Sequence, residues 1–276
     1  MTATDMEQRS ALGWTIADSL AVAGRNLRGM ARVPEVIVFS TIQPIIFVLT
    51  FRYVFGGAIG STGPIPYVDF LMPGVFIQTV AFGAINTGVG LSEDLHSGLI
   101  ERFRSLPMSR YAVLLGRTFT DVIINGISLV VMALTGLVVG WRIDSPWYKA
   151  VGGFALLLLF AHAVSWIMGW VGLKVSGPEA VNSASFMVIF PLTFIANTFV
   201  PLENLPSVLK VFAEWNPVSS MCQAARELFG NELGVKAVSH AFPIQHPVVY
   251  TLAWIVAILV AFVPLCVRAY ERSALR

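Results

Sequence analysis

The stretch Phe119-Thr-Asp-Val-Ile-Ile-Asn-Gly-Ile-Ser-Leu-Val-Val-Met-Ala-Leu-Thr-Gly-Leu-Val-Val-Gly-Trp141 decides the class of this protein. Asp121 is its one charged residue, and its length matches the roughly 20 apolar residues that a helix needs to cross a bilayer core about 30 Å thick. Segments of the same kind recur at Val36 to Phe55, Phe70 to Leu91, Ala150 to Leu173, Ala184 to Val200 and Val248 to Val267. A chain of 276 residues that is 56% hydrophobic and 12% charged, with mean hydropathy +0.74, has more apolar surface than one water-soluble core can hide. The pattern predicts an all-α membrane protein with six transmembrane helices in a single domain over residues 1–276, and it leaves no room for a separate soluble domain.

Outward from the spans, Leu12, Ile16, Leu20, Ala23, Leu27 and Met30 recur at helical spacing, with Asp18, Arg25, Arg28 and Arg32 toward the other face. This predicts an amphipathic helix within residues 7–33, lying in the membrane interface and turning into the bilayer at Pro34. No apolar core followed by a small-residue cleavage site precedes it, so insertion is expected to use the first span. Before the last span, residues 201–246 form the longest polar stretch. It contains helix-compatible pieces around Val208 to Trp215 and Met221 to Phe229, read as short external helices that re-enter the outer leaflet. Lys and Arg number twelve in the N-terminal segment, the 93–117 loop, the Lys174 loop and the C-terminal tail, against six elsewhere. Basic residues concentrate on the cytoplasmic side, which places both termini and the 93–117 loop there. Cys222 and Cys266 then fall on opposite sides, too far apart for a disulfide.

The sequence contains no G-x-x-x-x-G-K-[ST] phosphate loop, no H-E-x-x-H zinc site and no G-x-S-x-G nucleophile elbow. Nothing therefore points to catalysis, a metal or a cofactor on this chain, and a net charge of +2 is too small to suggest nucleic acid as a partner. Among ionisable groups in or near the spans, His162 is expected to bond between helices, Arg117 and Asp121 to pair one turn apart, and Arg52 and Asp69 to reach water from helix ends.

The most informative polar segment is the loop with Gly98, Leu99 and Ile100 followed by Glu101-Arg102-Phe103-Arg104-Ser105-Leu106-Pro107-Met108-Ser109-Arg110, then Gly116-Arg117 and Asp121 opening the next helix. Placed between the second and third spans, it resembles the signature loop of type-2 ATP-binding-cassette (ABC) export permeases, and most of all their daunorubicin-resistance branch from actinobacteria. Gln43-Pro44, Phe70-Leu71-Met72-Pro73-Gly74, and Asn216-Pro217-Val218 ahead of Arg226 agree with that family in order, so the resemblance covers nearly the whole chain. Gln43-Pro44 and Asn216-Pro217 read equally well as simple helix breakers.

The resemblance implies a bacterial cytoplasmic-membrane permease that binds no cofactor itself. It implies a dimer of membrane subunits, taken as a homodimer, bound to two copies of a separate ABC ATPase that carries ATP and Mg. Read physically, Phe103 and Leu106 are apolar knobs among Glu101, Arg102 and Arg104 on a short helix ending at Pro107, suited to a groove on a soluble partner. For the substrate path, Phe76, Thr79, Phe82 and Asn86 in the second span and Phe186, Phe190, Phe194 and Asn197 in the fifth give aromatic walls with few polar groups, suited to an amphipathic drug. The rival readings are an ABC exporter of a lipid or cell-envelope glycan and, from another class, an ion-coupled transporter or channel.

The distribution of basic residues makes a prediction. Single cysteines introduced near Glu203 or Glu232 should react with a membrane-impermeant reagent added outside intact cells, and a cysteine at Ser105 should not; the reverse pattern overturns the orientation.

Overall fold

The computed structural model describes residues 11–31, 34–55, 66–99, 112–199, 202, 205–231 and 239–273. Among these every regular element is helical: α1 (Ala11–Ala31), α2 (Pro34–Thr50) ending in a π-helical turn (Phe51–Phe55), α3 (Tyr67–Gly83), α4 (Ile85–His96), α5 (Ala112–Val139), α6 (Trp147–Lys174), α7 (Pro178–Phe194), α8 (Ser207–Trp215), α9 (Pro217–Phe229), α10 (Phe242–Gln245) and α11 (Pro247–Ser273). Four helical stretches are long and apolar enough to cross a membrane: Tyr67–His96, Ala112–Val139, Trp147–Lys174 and Pro247–Arg272. This is a multi-pass membrane protein. The other two expected spans correspond to α2, which runs through Pro44, and to α7, whose 17 residues reach roughly 26 Å at about 1.5 Å per residue.

Several boundaries differ from the sequence reading. The second span is two helices, because α3 stops at Gly83 and α4 restarts after Ala84. A Cβ on Gly83 would lie 2.2 Å from Asn125 Oδ1, so α5 presses closely on this joint. The third span begins at Ala112 rather than Phe119, and the fifth occupies Pro178–Phe194 rather than Ala184 to Val200. Gly177, at φ 101°, makes the tight turn that feeds Pro178 into the first turn of α7.

Helices α4 and α6 meet backbone to backbone. A Cβ on Gly172 would lie 2.1 Å from the Gly88 carbonyl oxygen, and one on Gly88 would lie 2.5 Å from that of Met168. Small residues permit this approach where lipid supplies no hydrophobic drive between helices. The core built around it runs through Phe70, Leu71, Met72, Phe76, Ile77, Leu157 and Phe160 to Met221 and Phe229.

α9 is embedded in that core, although it carries Ser219, Ser220, Gln223 and Arg226, all buried. Asn216 is its N-cap: Oδ1 accepts from Val218 N at 2.9 Å, while Nδ2 donates to the Leu192 carbonyl at 2.7 Å. Asn216-Pro217 is thus a helix start tied to the end of α7 rather than a mere breaker. Gly230 closes the helix in the left-handed conformation. Beyond it, Asn231 accepts from Trp141 Nε1 at 2.9 Å and donates to the Arg142 carbonyl at 3.0 Å, which fastens this end to the α5–α6 turn.

His162, expected to bond between helices, accepts from Trp166 Nε1 at 3.2 Å within α6, where the i, i+4 neighbour lies on the same face, and it also meets the Thr118 backbone of α5. Two other expectations about polar residues are corrected. Asp69 is buried instead of reaching water, its Oδ1 taking the Arg142 amide at 3.2 Å. Arg117 does not pair with Asp121, for the reason given below.

The glycine contact is testable by substitution. Gly172→Ala should lower the stability of the detergent-solubilised protein by about 1–3 kcal/mol, since the added methyl meets backbone that has to move. Gly152→Ala, where nothing lies within 4 Å, should be neutral or mildly stabilising. Equal melting shifts for the two variants would show that the close α4–α6 approach is not required.

Candidate functional site: the coupling end and the aromatic face

Glu101, Arg102, Phe103, Arg104, Leu106 and Pro107 lie outside the described residues. The helices that carry this loop, α4 and α5, are described, and they are bound to α1 by charge. Asp94 lies 3.7 Å from Arg25 of α1 and 3.8 Å from Arg117 of α5, and Arg117 also donates to the Asn86 carbonyl at 3.3 Å. Arg117 makes its ion pair with Asp94, presented by α4, while Asp121 accepts a hydrogen bond from Thr87 Oγ1 and keeps only a longer-range electrostatic interaction with Arg117; Thr87 and Asp121 are both buried. Gly90 makes room for this arrangement, since a Cβ there would overlap the Arg117 guanidinium. At this end α1, α4 and α5 are therefore cross-linked by charge through Asp94. Sequence reasoning paired Arg117 with the wrong carboxylate, because only the packing of α4 on α5 brings Asp94 within reach.

α1 packs along α5, with Val22 and Ala23 buried and Gly116 flush against the Ser19 carbonyl. Leu20, on the apolar stripe expected to meet the membrane interface, is exposed.

The structure brings four of the eight expected path residues together. Phe186, Phe190 and Phe194 form a ladder along the exposed side of α7, with ring centroids 5.4 and 4.2 Å apart. Phe82 joins its lower end at 5.3 Å from Phe186, and Phe47 and Phe199 join its upper end at 6.4 and 5.3 Å from Phe194. Thr79, half-buried, returns its hydroxyl to the Val75 carbonyl, and Asn86 is exposed; with Phe82 they follow one helical stripe. Phe76 stands apart, fully buried against Trp141, Phe154 and Phe229. Asn197 is buried beneath the turn after α7.

On the other side of α7 an apolar cleft of about 560 Å³ opens toward α6, α8 and α11, lined among others by Phe160, Ile189, Leu192, Phe212, Trp254 and Phe262. Its Thr193 hydroxyl and Asn216 amide are already spent on the Ile189 and Leu192 carbonyls. No group of three or more metal-ligating side chains occurs among the described residues.

Residues 19–230 match the family model described as ABC-2 type transporter. The chain belongs to the ABC-2 type transporter family. It is 32% identical over 266 residues, 96% of this chain and 90% of the other, to a daunorubicin resistance ABC transporter permease protein of Streptomyces coeruleorubidus. A doxorubicin resistance ABC transporter permease protein of Mycobacterium tuberculosis is 27% identical over 81% of this chain and 78% of its own length. A putative transport permease of Cyanophora paradoxa is 22% identical over 73% of this chain and 70% of its own length. As an ABC-2 permease subunit, the chain is a transport component and not an enzyme.

The Thr87–Asp121 bond can be tested in this family context. Thr87→Val should cost about 1–3 kcal/mol of stability by leaving a buried carboxyl without its donor, and Thr87→Val combined with Asp121→Leu should recover much of that loss. Thermal unfolding in detergent measures both. Additive losses in the double variant would show that the two side chains do not act as a pair.

Proposed function

We propose that this permease forms the membrane pathway of an ATP-driven exporter that moves hydrophobic or amphipathic compounds of the drug class out of the cell. The observation that carries the reading is membership of the ABC-2 family over most of the chain, and the relatives named for daunorubicin and doxorubicin resistance favour a planar, amphipathic substrate. In this reading two copies of the chain sit in the bacterial cytoplasmic membrane, each with six spans and both termini in the cytoplasm. α1 lies in the inner interface. α8 and α9 form the outer re-entrant segment.

Each protomer docks a separate nucleotide-binding subunit through Glu101 to Pro107, and ATP with Mg binds there. ATP binding and hydrolysis alternate the dimer between inward-facing and outward-facing states. The orientation follows from the bias of Lys and Arg, while Trp147, Tyr148 and Trp215, exposed at the end opposite the loop, mark the level of a headgroup layer, which such rings favour. The Phe186, Phe190 and Phe194 ladder, with Phe82, is exposed in the single chain and serves as the wall shared with the second copy. Flat rings suit stacking against an aromatic ligand.

The coupling loop provides the test. With tagged ATPase as bait, Phe103→Ala or Leu106→Ala should weaken association by about 1–3 kcal/mol, the range for a buried interface anchor, and lower drug export at normal permease levels. Arg104→Ala should do less, as a rim charge acts mainly on association rate. Unchanged association and export in both apolar variants would make the loop a passive connector.

A further inference from the structure

Two motifs that the transport reading leaves without a task meet at one point in the structure. Arg226, ten residues beyond Asn216, is 0% exposed. Its Nε and Nη2 donate to the Phe70 carbonyl at 3.2 and 3.0 Å, and Nη2 also reaches the Asn197 and Thr198 carbonyls at 2.8 and 3.4 Å. The guanidinium lies 3.8 Å over the Phe70 ring. Gly74, which closes the other motif, is where the Thr198 backbone passes: a Cβ there would stand 2.2 Å from the Thr198 oxygen. Among the described residues no carboxylate pairs with Arg226, and a buried cation held by carbonyls alone is a costly arrangement. The same seat leaves Arg226 Nη1, the Asn197 side-chain Nδ2 and Oδ1, and Gln223 Oε1 buried without partners, so it is not the only arrangement these groups can favour.

We propose that Arg226 is a positioning residue, the latch that holds the outer end of each protomer closed by tying α9 to the start of α3 and to the turn after α7. The latch rests on the alternating-access reading above. Three segments that have no covalent reason to stay together converge on one side chain, and all three lie at the end opposite the coupling loop. Outward opening separates α9 or the 197–198 turn from α3; the bonds to Phe70, Asn197 and Thr198 break, and the unpaired donors and acceptors become available to water or to each other. An arginine fits the task because its planar fork spans several carbonyls at once, which a lysine ammonium does not.

Cys222 supplies a native reporter. It is fully buried on α9, with Sγ 4.0 Å from the same Asn197 carbonyl, and burial pushes its thiol above the ordinary value, so it is slow to react while covered. In a Cys266→Ser background, with the permease and its ATPase partner in cells, a membrane-impermeant maleimide added outside should label Cys222 slowly in the resting state. Arg226→Lys should raise that rate about tenfold or more, since the latch loses several charge-assisted bonds. Gly74→Ala, which displaces the Thr198 backbone and leaves the cation in place, should raise it too. Arg226→Met, similar in shape and uncharged, should behave like Arg226→Lys.

Resting labelling of Cys222 at the wild-type rate in Arg226→Lys and Gly74→Ala overturns the latch. So does failure of Arg226→Lys to accumulate as a folded complex, which would make the arginine a strut of the fold. Drug export by the unsubstituted complex is measured alongside. Its absence, with labelling rates shifted as expected, would overturn the drug-class cargo and leave the latch, which needs only the alternation between two states, standing.

Discussion

A helix that ends inside a membrane protein leaves backbone carbonyls and amides that no water can reach, and each has to find a donor or acceptor within the fold. The structure meets this constraint at the α9 seat. The end of α7 and the 195–199 turn stop or bend there, and side chains of the 216–226 segment bond to them: Asn216 donates to the Leu192 carbonyl, Ser219 accepts from the Asn197 backbone amide, and Arg226 donates to the Asn197 and Thr198 carbonyls, with further bonds to the Phe70 carbonyl in the first turn of α3. This accounts for a polar helix, rich in Ser and carrying Gln223 and Arg226, at the centre of the outer half. Its polar side chains are the complement of broken backbone elsewhere.

Close backbone approach is the second organising fact. Gly88 against Gly172, Gly83 against Asn125 and Gly90 against Arg117 draw α4, α5 and α6 into a tight inner group, with α3 buried above it. Such tight packing leaves α7 on the outside. Only Val181, Ser185, Ile189 and Thr193 of that helix are buried, at the spacing of one face, and its phenylalanine ladder stays uncovered. An apolar face beside a glycine-tight group is what a subunit needs if it completes its pathway with a second copy.

Charge links the two ends of the molecule differently. At one end Asp94 sits between Arg25 and Arg117 and joins α1, α4 and α5. At the other, Arg226 acts on carbonyls, with no carboxylate paired to it among the described residues.

The class, the approximate spans and the helical pieces at Val208 to Trp215 and Met221 to Phe229 were legible in the sequence, because lipid demands long apolar runs and helical periodicity survives without knowledge of neighbours. So was the family, from the Glu101 to Arg110 loop with its flanking motifs. The partners of individual polar residues were not. Arg117 to Asp121 is the natural local pair, and it lost to Asp94 because α4 lies alongside α5; His162 found Trp166 on its own helix; Asp69 was taken up by the α5–α6 turn. What the sequence determined by itself is that this chain lives in a membrane, is mostly helical along its apolar runs and contains no phosphate-loop motif. Only the tertiary structure decided that Phe70, Gly74, Asn197 and Arg226 meet, because residues up to 156 positions apart share no periodicity that a local pattern can register, and their contact exists only once three separate helix ends have been packed together.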